Sequence, residues 1–206
     1  MPKTIVMPDF PTARILGFIG RFVLVYALLI IPWPGWHAAY DNYFCSLGRT
    51  VFVAEDEKRL LTFESNHGPY QALDTSIVIT NRELINSQSQ AHVITLSLDA
   101  WGIGWIPTAL TTALILATAI PWRRRLWSLF WGLFWVHLFI LFSVWIHIWF
   151  NSEQISLVKF SGFWRPVVEG LDYTLITQIG ISFSAPVLIW VLVTFRRKDL
   201  PGREPS

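Results

Sequence analysis

Residues 101–150 read WGIGWIPTALTTALILATAI, then PWRRR, then LWSLFWGLFWVHLFILFSVWIHIWF. The first run, Trp101 to Ile120, and the last, Leu126 to Phe150, contain no Asp, Glu, Lys or Arg. Between them stands Pro121-Trp122-Arg123-Arg124-Arg125. An uncharged run of about 20 residues crosses roughly 30 Å of hydrocarbon as a helix. Lipid offers the backbone no hydrogen-bond partners, so helix is the form such runs take. The two runs read as a transmembrane hairpin. Basic loops stay in the cytoplasm, so Arg123, Arg124 and Arg125 put its tip inside and both open ends outside.

Composition agrees with that reading. The chain is 53% hydrophobic and holds 12 tryptophans, a residue that gathers at lipid–water boundaries. A net charge of +2, carried by basic clusters that flank the apolar runs, gives no footing for nucleic acid. Cys45 is the only cysteine, which excludes an intrachain disulfide and an all-cysteine zinc site.

Working outward from the hairpin, residues 1–14 read as a cytoplasmic tail with Lys3 and Arg14, and 15–36 as transmembrane helix 1. Arg21 lies inside that span, where it snorkels toward the cytoplasmic headgroups. Pro34-Gly35 ends the helix, with Trp33 and Trp36 at the outer boundary. His37 occupies the −3 position of a cut after Ala39, so the span reads as uncleaved. Residues 37–100 form an exported segment with four expected strands, Arg49–Ala54, Arg59–Glu64, Thr75–Thr80 and His92–Leu98. Glu55–Lys58 is the expected turn of a hairpin between the first two, and Asn66-His67-Gly68-Pro69 a loop. In the last strand Ile94, Leu96 and Leu98 alternate with Val93, Thr95 and Ser97. A segment this small builds a marginal core, so it is expected to lean on the membrane or on a partner. Residues 101–120 are transmembrane helix 2, 121–125 a cytoplasmic basic turn and 126–150 transmembrane helix 3. Residues 151–173 are an exported loop in which Phe163-Trp164-Arg165-Pro166 forms an interfacial anchor entering a short helix. Residues 174–195 are transmembrane helix 4, bent at Pro186. Residues 196–206 are a cytoplasmic tail opened by Arg196, Arg197 and Lys198. The expected fold is an all-α membrane protein of four transmembrane helices, with a small exported β-rich segment between helices 1 and 2. It belongs in the cytoplasmic (inner) membrane with both termini inside.

Small residues mark close helix contacts. Ala109, Ala113 and Ala117 recur every four positions, and Gly180 and Ser184 form a small-xxx-small pair. Four helices have limited use for so many close-packing faces, so these are read as docking surfaces for another multi-span membrane protein.

Candidate chemistry is sparse. His37, Asp41 and Cys45 stand four apart and would share one face of a helix, where they could hold a metal or form a thiol–imidazole pair. Pro34-Gly35 argues for a break just before them, and the plainer reading is an interfacial segment anchored by Tyr40, Tyr43 and Phe44. Cys45 with Arg49 and a histidine (His37, His67, His92 or His147) would be the outline of a membrane thiol peptidase or transpeptidase. A buried cysteine packed as a small hydrophobe is the commoner case. His137 and His147 lie in the third span about 80° apart around the helix, so they do not share a face. His147 falls in a tryptophan-rich outer belt, and His137 is read as a neutral imidazole bonded to another helix. A sensor or small transporter would need polar groups along a pathway, and the spans offer mainly Thr, Ser, Gln178 and His137. The expectation is no catalytic residue, no metal and no cofactor.

Three stretches carry a family likeness. Ala117-Thr118-Ala119-Ile120-Pro121-Trp122-Arg123-Arg124-Arg125-Leu126, Phe160-Ser161-Gly162-Phe163-Trp164 with Glu169–Tyr173, and Ser184-Ala185-Pro186-Val187-Leu188-Ile189-Trp190 resemble segments of the exosortase-associated membrane proteins. These are small accessory proteins encoded with the exosortase enzymes of bacterial envelopes. The layout of one span, an exported segment and three further spans also fits. The resemblance implies a non-catalytic accessory role in envelope protein sorting or export beside an exosortase-type enzyme, and no catalytic residues come with it. The exosortases themselves pair a Cys, an Arg and a His. Here Cys45-Ser46-Leu47-Gly48 meets only part of that context, and a long exported segment follows it.

Overall fold

The computed structural model describes residues 12–52, 59–65, 74–81, 93–153, 157, 162–177 and 179–195. These are mostly helical. Helix α1 (Thr12–Ile30) is apolar and has no buried residue. It stops at Ile30, two residues before Pro32, because Ile31, the residue that precedes proline, is pushed out of the helical region. Gly35 then takes a positive φ of 79°, open to glycine without strain, and the chain turns into α2 (Trp36–Phe52).

Helix α2 corrects the expectation of a strand at Arg49–Ala54, since residues 49–52 are its last turn. The signal lay in Tyr40, Phe44, Gly48 and Phe52, spaced by four. The first three are buried, and Phe52 stacks on Phe63 with ring centroids 6.0 Å apart. A Cβ on Gly48 would sit 2.5 Å from the Phe63 ring, so only glycine lets the helix come this close. The β-branched Thr50 and Val51 favour strand locally, but packing of the whole stripe overrides them. The expected turn Glu55–Lys58 and loop Asn66–Pro69 lie outside the described residues.

Helix α2 covers an antiparallel sheet of order β1-β2-β3, made of β1 (Arg59–Ser65), β2 (Thr75–Asn81) and β3 (Val93–Leu98). These match the three remaining expected strands to within a residue at each end. The register aligns rows on one face: Leu61–Ile79–Ile94, Phe63–Ile77–Leu96 and Ser65–Thr75–Leu98. In β3, Leu96 and Leu98 are buried while Val93, Thr95 and Ser97 are exposed, as the alternation predicts. The segment expected to be β-rich is therefore an α+β cap instead.

After β3 a π turn, Trp101–Trp105, leads into α3 (Ile106–Ala117). Helix α4 (Trp122–Ser152) follows, then α5 (Trp164–Asp172), a second π turn (Tyr173–Thr177) and α6 (Ile179–Thr194), which contains Pro186. Among the described residues two helices, α1 and α4, are long and apolar enough to cross a bilayer, while Trp101–Ala117 and Phe183–Thr194 are shorter apolar helices. Helix α3 is the hub, packed on α1, α4 and α6. The core does not stop at the cap: Tyr40, Phe44, Leu61, Phe63 and Ile77 form one cluster with Val136, Ile140, Val144 and Ile148 of α4.

The basic turn is also revised. Helix α4 begins at Trp122, so Arg123–Arg125 lie in its first turn and only residues 118–121 connect the helices. Cations there oppose the helix dipole. The structure answers by aiming Arg124 and Arg125 at carbonyls. Arg124 Nη2 donates to Thr194 O at 2.6 Å, at the end of α6, and Arg125 Nη2 donates to Thr118 O and Ile120 O.

Candidate functional site

A buried polar cluster sits between α2 and the sheet. Asp41 is 1% exposed and faces β1 and β2. Thr75 Oγ1 donates to its Oδ1 at 2.5 Å, and Ser65 Oγ donates to its Oδ2. Ser65 and Thr75 are register partners, so the two strands present both hydroxyls side by side to one carboxylate. Cys45, one helical turn on, directs its Sγ at Asp41 Oδ1 over 3.8 Å. Burial, and next the neighbouring carboxylate of Asp41, push this thiol from 9.0 up to about 11. A thiol that is buried and held protonated is the reverse of an activated nucleophile, which needs a depressed pKa and access. Arg49 is also occupied: its Nε and Nη2 both donate to Phe63 O, at 3.0 and 2.6 Å, tying the end of α2 to β1.

A second polar group lies at the entry to α3. Asp74 accepts the backbone N–H groups of Ala100 at 2.7 Å and Trp101 at 3.3 Å, and so satisfies donors that the start of a helix leaves open. Burial raises its pKa, opposed by the Ala100 N–H. His37 stacks on Trp101 with ring centroids 4.5 Å apart and brings Nδ1 to 3.7 Å from Asp74. Helix α2 thus does align His37, Asp41 and Cys45, but only Cys45 and Asp41 meet, while His37 turns to Asp74. Among the described residues no three His, Cys, Asp or Glu side chains are grouped to hold a metal ion. Buried Tyr40 packs edge-on against Trp101 and Trp105, and burial raises its pKa.

The remaining candidates are dispersed. His137 bonds through Nδ1 to Leu133 O at 2.8 Å, within its own helix rather than to another one. It borders two hollows of about 270 and 350 Å³ whose linings are almost wholly apolar, which is no path for a polar solute. His147 has a partner that sequence reasoning missed: its Nδ1 lies 2.7 Å from Asp172 Oδ1, and both side chains are mostly buried. Ala109, Ala113 and Ala117 are at most 1% exposed, consumed where α3 packs on its neighbours, so this stripe is no docking surface. Ser184 is exposed on α6. Nothing is described of the Gly180 surroundings, and Arg196, Arg197, Lys198, His67 and His92 lie outside the described residues.

The missed partners are Ser65, Thr75, Asp74 and Asp172. Asp74 immediately before a strand was a weak hint; the other three pairings span 24 to 34 residues and have no local signature. No family model, no curated protein and no solved structure matches the chain.

Proposed function

We propose that the chain is a four-span protein of the cytoplasmic membrane, with both termini inside, whose outer α+β cap is a rigid, non-catalytic platform in an envelope protein-sorting or export system. The observation that carries this reading is the shared core: side chains of α2 and the sheet pack in one cluster with α4, so the cap is built onto the apolar bundle instead of hanging from it. The side chains that catalysis would call on are spent on holding that cap, Cys45 and Asp41 inside it and Arg49 across its edge. Two long apolar helices support membrane insertion, and two shorter ones, each with basic residues near one end, support the further spans. An exosortase-type enzyme as partner follows from the resemblance in the sequence.

Two experiments test the proposal. Cysteines placed at exposed Asn42 and Glu169 should react with an impermeant maleimide applied to intact cells, and one at Arg123 only after lysis. Labelling of the Arg123 site in intact cells would overturn the orientation. Co-purification of an exosortase-type enzyme in mild detergent is expected, with function retained in Cys45→Ala. Peptide cleavage or transfer by the lone protein, lost in Cys45→Ala, would replace the platform by a thiol peptidase.

A further inference from the structure

We infer that α5 docks on the outer lipid–water boundary of the bilayer through Phe163, Trp164, Val167 and Leu171, an inference that rests on the four-span reading above. At about 100° per residue these four positions fall within an arc of about 100°, and Arg165 and Glu169 lie roughly 200° and 240° from Phe163. The apolar strip is open: Phe163 is 73% exposed, Trp164 54%, Leu171 38% and Val167 37%. Arg165 and Glu169 are exposed as well. The protein grips α5 by the edge between these faces. Val168 is buried there, and Asp172 takes the hydrogen bond from His147 of α4. Arg165 adds a looser arm, its Nε 3.7 Å from Glu153. The helix is thus clamped along one edge and shows two open faces of opposite chemistry. That arrangement is stable where one face meets acyl chains and the other meets water.

Three observations choose lipid over a protein partner. The helix that follows α5 is apolar on its exposed side too, with Phe183, Val187, Leu188 and Leu192 of α6 all open. Trp164 and Tyr173 are the residue types that settle at headgroup level. The five-residue π turn and the 16-residue α6 that follow α5 cover roughly 30 Å at about 1.5 Å per residue, one hydrocarbon thickness. With Thr194 at the inner boundary, α5 lies at the outer one. The edge clamp makes it a fixed foot on the outer leaflet rather than a loose anchor.

The test is spin labelling of the full chain in phosphatidylethanolamine–phosphatidylglycerol vesicles, in a Cys45→Ala background. Single labels go at Val167→Cys, Leu171→Cys, Glu169→Cys and, as the control for the span, Leu188→Cys, 64% exposed on α6. Labels at 167, 171 and 188 should collide several-fold more with oxygen than with a water-soluble nickel chelate, and the label at 169 should show the reverse. If 188 is lipid-exposed while 167 and 171 meet nickel, α5 stands in water, and this inference falls while the four-span reading remains. If 167 and 171 are shielded from both reagents, a protein covers the strip and the inference again falls. If 188 also meets nickel, the four-span reading itself fails. A second measurement needs no label. Fluorescence quenching by lipids brominated high on the acyl chain should lessen in Trp164→Tyr, and unchanged quenching would count against the inference.

Discussion

Asp41 draws three side chains to one point, which makes it the most consequential single residue of the cap. Replacing it by Ala leaves the hydroxyls of Ser65 and Thr75 inside with no carboxylate to donate to, and an unsatisfied buried polar group costs about 1–3 kcal/mol. Asp41→Ala should lower the thermal midpoint in detergent markedly, and Asp41→Asn, which keeps an acceptor, should lower it less. Equal midpoints for Asp41→Ala and the natural chain would mean that the cluster contributes nothing. Cys45 makes a pH prediction. Its thiol holds its proton up to about 11 in the folded state against an ordinary 9.0, so the folded state binds that proton more tightly. The resulting stabilisation is complete below pH 9 and is lost as the pH climbs toward 11. Burial raises Tyr40 and Tyr43 as well, and they begin to contribute near their ordinary 10.0. Chemical denaturation between pH 9 and 10 should therefore show a falling stability that is shallower in Cys45→Ala. At this scale the sequence was half legible. Spacing of four brings Asp41 to Cys45, whereas Ser65 and Thr75 reach them only through strand register, which no local pattern encodes.

Among the elements, α4 shows why apolar helices are hard to read. It is hydrophobic all round, so hydrophobicity alone does not separate its exposed side from its packed side. Residue size does. Ser128, Gly132, Val136, Ile140, Val144, Ile148 and Ser152, four apart, are all buried, while Trp127, Phe130, Phe134, Trp135, Leu138 and Phe142 are exposed. The aromatic spacing is conspicuous in the sequence, and the stripe of smaller residues beside Trp127, Trp131 and Trp135 is the one that matters for packing. The alanine stripe of α3 was visible from the start, but its spacing could not say whether the helix it admits belongs to this chain or to another. The structure supplies α1, α4 and α6 as neighbours. Ala113 has no exposed surface, so Ala113→Leu forces extra methylenes into a filled site, at a cost of about 1–3 kcal/mol. Leu192, 79% exposed, should tolerate Ala with a change within about 0.5 kcal/mol. Thermal unfolding of both variants in the same detergent checks the contrast, and a harmless Ala113→Leu would mean that α3 is not packed on all sides.

For the whole molecule, the continuity of the core decides how it comes apart. A three-stranded sheet with one helix over it is too small to be comfortably stable alone, which the sequence already suggested from the length of the segment 37–100. The sequence could not say what the segment leans on. The structure answers with Val136, Ile140, Val144 and Ile148, mostly in the C-terminal half of α4, packed in one cluster with Tyr40, Phe44, Leu61, Phe63, Ile77 and Ile79. Groups that share a core unfold as one cooperative unit, and a loss on either side is felt on both. Ile140→Ala removes a side chain that is 2% exposed and should cost about 2–5 kcal/mol. Amide hydrogen exchange in detergent gives the reading. In this variant the amides of Thr75–Asn81 in the sheet should lose protection by the same factor as those of the C-terminal half of α4, although no residue of the sheet has been altered. Ile77→Ala, a change made in the sheet, should in turn expose the amides of residues 136–148 in α4. Were Ile140→Ala to loosen α4 while the sheet kept its protection, the cap and the bundle would be separate folding units. The rigid platform proposed above would then lose its physical basis.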